Sequence, residues 1–162
     1  MFPQPLLDLA RAVLAKARQE GLRLATAESC TGGLIAALLT EIPGSSDVFE
    51  CGFVVYSNRA KSDLLGVPAD LIADQGAVSE AVARAMAEGA VTKSDAQLAV
   101  AVTGIAGPGG GTKLKPVGLV HIAAARDGRP ILHEAHRFGD IGRREIRLKS
   151  VEAALGLLQR LL

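Results

Sequence analysis

The chain has 162 residues, with 18 basic against 17 acidic side chains and a net charge of +1, which fits one domain and offers no charge footprint for nucleic acid or an anionic membrane. Apolar residues make up 49% but aromatic ones only 3%, with no Trp and one Tyr, so the core must be built from Ala, Val, Leu and Ile, and base-stacking platforms are not on offer. A domain of this size buries roughly two thirds of its unfolded surface and needs no disulfide staple, so Cys30 and Cys51 read as free thiols.

The opening "MFPQPLLDLARAVLAKARQEG" alternates charged with apolar residues and lacks the unbroken apolar run of a signal peptide or membrane span, which points to a soluble cytoplasmic protein. Leu6, Leu9, Ala10, Val13, Leu14 and Ala17 recur at helical spacing, and Gly21 sits where that helix should stop. "LRLATA" (22–27) reads as a strand and "GGLIAALLTEI" (32–42) as a buried helix closed by "PGSS". "VFECGFVVYS" (48–57), rich in β-branched and aromatic residues, predicts the next strand, with Tyr56 at its end. Short helices broken at "GVP" follow over 58–74. A helix over 79–91 then opens with Ser79 as N-cap and ends near Gly89.

"AQLAVAVTG" predicts a further buried strand, followed by the glycine-rich "GIAGPGGGTKLKPVG" and by two strands joined at "RDGRP". The last helix carries Leu148, Val151, Leu155, Leu158 and Leu162 on one face, behind a basic opening "GDIGRREIR". The order α-β-α-β-α-α-β-β-β-α predicts a single three-layer α/β domain over 1–162: the strands near 22, 48 and 97 are joined through helices and run parallel, and the terminal hairpin makes the sheet mixed.

"TAESCTGG" lies at a strand-to-helix junction, where the free N–H groups of a first helical turn favour an anion and two glycines allow close approach to the backbone. Ser29 or Thr31 equally suits plain helix capping. A nucleophilic serine needs a base, and histidine is hard to place. His133 and His136 stand three apart on a strand and so face opposite ways, His121 sits in an apolar run, and no metal-ligand spacing is present. A lysine kept neutral by burial is the other base that activates serine. Lys61 in "VVYSNRAKSDLLG" falls near the start of a helix that Asn58 opens, so it and Tyr56 could converge at one mouth of the sheet; a snorkelling surface lysine is the plain alternative. Cys30, a thiol near a helix N-terminus, competes with Ser29 as nucleophile, and adjacent side chains cannot both face the substrate.

"TGIAGPGGG" contains neither phosphate-loop nor dinucleotide fingerprint, yet Thr103 and its backbone could form a pocket wall. Arg143 and Arg147, four apart on one helix face, could grip a phosphate or carboxylate or form a solvated basic turn.

The segments "TAESCTGG", "GSSDVFECGFVVYSNRAK", "GAVSE", "TGIAGPGGGT" and "KPVG", in this order and spacing, make the chain resemble the CinA C-terminal domain family, some stand-alone members of which are nicotinamide-nucleotide amidases. Full CinA proteins carry a larger N-terminal domain that has no counterpart in these residues. The resemblance implies a three-layer α/β/α sandwich with a mixed, mainly parallel five-stranded sheet. It also implies hydrolysis of nicotinamide mononucleotide to nicotinate mononucleotide and ammonia, without cofactor or metal, by a homo-oligomer. On this sequence the family's catalytic serine, tyrosine and lysine fall on Ser29, Tyr56 and Lys61. The resemblance thus favours Ser29 over Cys30, with oxyanion donors at Thr31, Gly32 and Gly33. Glu28, Cys30, Asn58, Thr103, Gly104, Ile105, Ala106, Gly107, Arg143 and Arg147 are the substrate-contact expectations. The chain departs from the family at Lys113 and Leu114, where "PE" is usual, and in two extra residues before Arg143. A catalytically silent nucleotide-binding module and an amidase for another small amide are the rival readings.

Overall fold

A computed structural model describes residues 1–162. The elements are α1 (Gln4–Gln19), β1 (Leu24–Glu28), α2 (Leu34–Thr40), a 3-10 turn (Ser45–Asp47), β2 (Phe49–Val54), α3 (Asn58–Leu65), α4 (Ala69–Gln75), α5 (Glu80–Thr92), β3 (Leu98–Gly104), β4 (Leu119–Arg126), β5 (Leu132–Arg137) and α6 (Arg143–Leu161). The sheet order is β2-β1-β3-β4-β5. β1 pairs parallel with both β2 and β3, while β4 is antiparallel to both β3 and β5, so four of the five strands share one direction.

Helices cover both faces because the central strands are apolar on both sides. Toward α1, α2 and α6 the sheet presents Leu24, Val100, Val102, Val120 and Ile122; toward α5 it presents Ala25, Ala27, Ala99, Ala101, Ala123 and Ala125. No helix is long and apolar enough to cross a membrane.

Of the boundaries that differ from the sequence expectation, two have a clear local cause. α5 continues past Gly89 to Thr92, because Gly89 marks a contact and not a stop: a Cβ there would lie 2.1 Å from the carbonyl oxygen of Leu65 in α3. β2 ends at Val54, so Tyr56 stands beyond the strand, and Ser57 caps α3 by accepting the Ala60 N–H at 3.0 Å. Ser79 caps α5 as expected, accepting the Val82 N–H.

The chain leaves β1 through α2 to β2 on one side and returns through α5, on the opposite face, to β3 on the other. The reversal of strand order therefore falls between β1 and β3, the place where open α/β sheets leave a crevice beyond the carboxyl ends of their strands.

Candidate active site

Ser29 is the first residue after β1, and its N–H donates to the Val102 carbonyl of β3 at 3.0 Å, which fixes it at that crevice. Lys61 comes from the first turn of α3 on the other side. Its Nζ lies 3.1 Å from Ser29 Oγ, 3.1 Å from the Val55 carbonyl and 3.4 Å from the Tyr56 carbonyl. Lys61 is only 1% exposed and none of these neighbours is a carboxylate. Burial lowers its pKa from the ordinary lysine value, opposed only by the nearby Cys30 thiol.

A neutral amine has two N–H bonds and one lone pair. With the two N–H bonds committed to the carbonyls of Val55 and Tyr56, the lone pair is left to accept the Ser29 hydroxyl proton. Cys30, 5% exposed, behaves in the opposite way: burial pushes its thiol up to about 12, so it remains protonated at neutral pH.

The Ser29–Lys61 pair opens into a cavity of about 280 Å³, at the small end of the ~300–1,000 Å³ range of small-molecule sites. Cys30, Tyr56, Asn58, Thr103 and the segment Gly104–Gly107 line it, together with Arg143. Gly109 and Gly110, from the glycine-rich stretch read as a pocket wall, line it too, and so do Ala77 and Val78 from "GAVSE", to which the residue reading assigned no role. Thr103 is buried and its hydroxyl donates to the Ala77 carbonyl at 2.8 Å, tying β3 to the loop before α5. At the mouth, Arg143 donates to the Gly107 carbonyl at 2.7 Å and to the Tyr56 hydroxyl at 3.0 Å.

Four expectations change. The first turn of α2 does hold an anion, but that anion is Glu28, whose carboxylate accepts the N–H groups of Gly33, Ile35 and Ala36 at 3.0, 3.1 and 2.9 Å. Glu28 is fully buried in this role and is not a substrate contact. Gly33 is thereby spent as an oxyanion donor, and so is Gly32, whose N–H donates to the Ser29 carbonyl at 3.0 Å. Arg147 stays off the cavity lining and donates to the carbonyls of Cys30 and Thr31 at 3.1 and 3.0 Å, so it does not share a ligand with Arg143. Tyr56 meets Lys61 through its backbone carbonyl, while its phenol, on a residue 62% exposed, is held by Arg143. Lys61 Nζ meets Ser29 Oγ directly, with no phenol between them.

The profile of the CinA C-terminal domain matches residues 6–162. The chain belongs to the CinA C-terminal domain family. It is 58% identical over 118 residues to a CinA-like protein of Akkermansia muciniphila, covering 73% of this chain and 28% of that protein. Against a CinA-like protein of Mycobacterium sp. (strain JLS) it is 54% identical over 143 residues, covering 88% and 34% respectively. The chain thus spans about a third of the length of these curated relatives. The crystal structure of the competence/damage inducible protein CihA from Agrobacterium tumefaciens superposes with a TM-score of 0.98 at 53% identity, over 99% of this chain and 98% of that one. A competence-damaged protein (CinA) superfamily protein of Escherichia coli gives 0.92 at 32% identity, over 100% and 94%. These likenesses extend to the whole three-layer architecture.

Proposed function

We propose that this CinA domain is a serine amidohydrolase that converts nicotinamide mononucleotide to nicotinate mononucleotide and ammonia. The observation that carries the reading is the buried Lys61 amine 3.1 Å from Ser29 Oγ at the floor of the cavity, with no carboxylate partner to keep it charged.

In the proposed sequence, Ser29 Oγ adds to the carboxamide carbon as its proton passes to Lys61 Nζ. The resulting ammonium then protonates the amide nitrogen, the C–N bond breaks, and ammonia leaves an ester on Ser29. Water adds to that ester while giving a proton to Lys61, and collapse of the second tetrahedral adduct returns the proton to Ser29 Oγ and releases the carboxylate. The lowered lysine pKa suits both halves, since the group must accept and then donate a proton near neutrality. Arg143, Tyr56 and the glycine-rich segment at the mouth are the groups suited to the ribose phosphate, with Arg143 carrying the positive charge.

The test is ammonia release from nicotinamide mononucleotide. Ser29→Ala should lose at least ~10³-fold in turnover, whereas Cys30→Ala should keep activity within a few-fold. Activity retained by the first and lost by the second would reassign the nucleophile. Thermal stabilisation of the wild type by the mononucleotide without any ammonia would make the domain a silent nucleotide-binding module. A panel of pyridine amides with and without the ribose phosphate identifies the preferred amide.

A further inference from the structure

A tetrahedral adduct on Ser29 places a negative oxygen beside the nucleophile, and the donors for it are found by accounting for every N–H in the turn. Ser29 N–H goes to Val102, Gly32 N–H to Ser29, Leu34 N–H to Thr31, and the N–H groups of Gly33, Ile35 and Ala36 to Glu28. Cys30 and Thr31 are the two residues of this turn whose N–H groups have no acceptor in the chain, although both are buried. The Thr31 hydroxyl is buried and likewise without a partner. Buried amides are rarely left in this state unless a ligand supplies the acceptor.

Arg147 fixes the peptide planes of this turn. Its Nε and Nη2 grip the carbonyls of Cys30 and Thr31, and both following peptide bonds are trans. In a trans peptide the N–H points opposite to the C=O. A guanidinium fixed on the Cys30 carbonyl therefore turns the Thr31 N–H away from itself. Its grip on the Thr31 carbonyl does the same for Gly32 N–H, which folds onto the Ser29 carbonyl and in turn orients the 29–30 peptide that carries Cys30 N–H. Gly32, at φ +58°, leaves the space required: a Cβ there would sit 3.3 Å from Arg147 Nη2.

We infer that Arg147 is a positioning residue, and that the oxyanion donor is the N–H of Cys30, which lines the cavity, not the first turn of α2; Thr31, fully buried and off the lining, belongs to the frame that holds it. This rests on the amidase reading above. Arg147 touches no substrate: its part is to hold two peptide planes, and Arg143, one turn earlier on the same helix, does the binding at the mouth.

Pyridine-3-boronic acid is the probe, because Ser29 Oγ can add to boron, with the hydroxyl proton passing to Lys61, to give a tetrahedral anion. In wild type the backbone ¹H–¹⁵N signal of Cys30 should move downfield on adduct formation. In Arg147→Gln the boronate should bind about 10²-fold more weakly, and kcat should fall by a similar factor, while affinity for the planar product changes by less than about threefold. Arg147→Lys, which can restore one of the two grips, should lie between, and it carries the test if the Gln variant does not fold. The pH dependence of kcat should be unmoved in both, since Lys61 is untouched. A wild type that releases ammonia and takes up the boronate with amide 30 unmoved, or a folded Arg147→Lys and Arg147→Gln pair that binds it like wild type, overturns the assignment while leaving the amidase standing. A wild type that neither releases ammonia nor binds the boronate removes the amidase reading itself.

Discussion

The two faces of the sheet are built to different rules. On the side of α1 and α6 the strands offer Leu, Val and Ile, and the helices answer with Leu14, Val151, Leu155 and Leu158. On the side of α5 the strands offer almost only alanine, and α5 replies with Ala83, Ala87 and Ala90 around a single Met86. Large side chains interdigitate to fill a thick layer. Alanines bring backbones close, so small errors are felt at once. The proposed general base comes from the thin layer: α3 rests on α5 at Gly89, and α3 delivers Lys61. The arginines come from the thick layer, on α6. The site is assembled where the two meet, with the tolerance of its base set by the stricter face.

The largest way to test that contrast is to remove the base. Lys61→Met should cost at least ~10²-fold in turnover while raising the melting temperature at neutral pH, because a buried amine is exchanged for a chain of similar length with nothing to ionise. The sign of the accompanying pH dependence follows from the direction of the shift. The folded-state pKa of Lys61 lies below its free value of 10.5, so between the two the unfolded chain binds more protons, and the stability present above 10.5 is lost as pH falls through the folded value. The advantage of the Met variant should therefore shrink as pH rises toward 10.5, and wild-type activity should climb with pH through the lowered lysine value.

Two glycines within helices sharpen the comparison further. Gly89→Ala pushes a methyl into the Leu65 carbonyl, and should cost roughly 1–3 kcal/mol of stability with a ten-fold or greater loss of kcat as α3 and Lys61 are displaced. Gly156→Ala in α6, where a Cβ meets nothing within 4 Å, should add about 0.5–1 kcal/mol with activity unchanged. Chemical denaturation of both variants, run beside the ammonia assay, reads each effect. Equal behaviour of the two would erase the distinction between the layers.

The smallest expected effect lies on β4 and β5. His121 Nδ1 and His133 Nε2 are 2.9 Å apart, with Glu80 3.5 Å from His133. Burial holds both imidazoles below the ordinary value of 6.5; His121 is further lowered by His133 and Lys115, and for His133 the pull of Glu80 opposes the shift. The folded state therefore refuses protons that the unfolded chain accepts, so stability is full above 6.5 and declines below it as pH falls through the folded values. His133→Gln should flatten the acid limb of a melting-temperature profile.

Most of the fold could be read from residue order. The helical repeat of Leu6 to Ala17, the β-branched run before Tyr56 and the Ser79 cap each carry their own local signal. What escaped was set by contacts between elements. Gly89 has the appearance of a helix stop, and only the approach of Leu65 shows why it is glycine. Arg143 and Arg147 share a helix face by spacing, yet the turn after Ser29 takes one and the mouth takes the other. Glu28 closes an apolar strand and precedes a helix by six residues, a position from which a carboxylate can cap that helix, a signal readable in the sequence. The pairing of His121 with His133 runs diagonally across two strands, and nothing in either segment alone announces it.

Tyr56 has one more consequence. The chain has a single tyrosine and no tryptophan, and that tyrosine stands at the entrance to the cavity with its hydroxyl on Arg143. All phenol emission of the unlabelled domain must then originate at the doorway. Any nucleotide that loosens the Arg143 contact or stacks there alters the signal at its only source, so the native protein is its own optical gauge of occupancy.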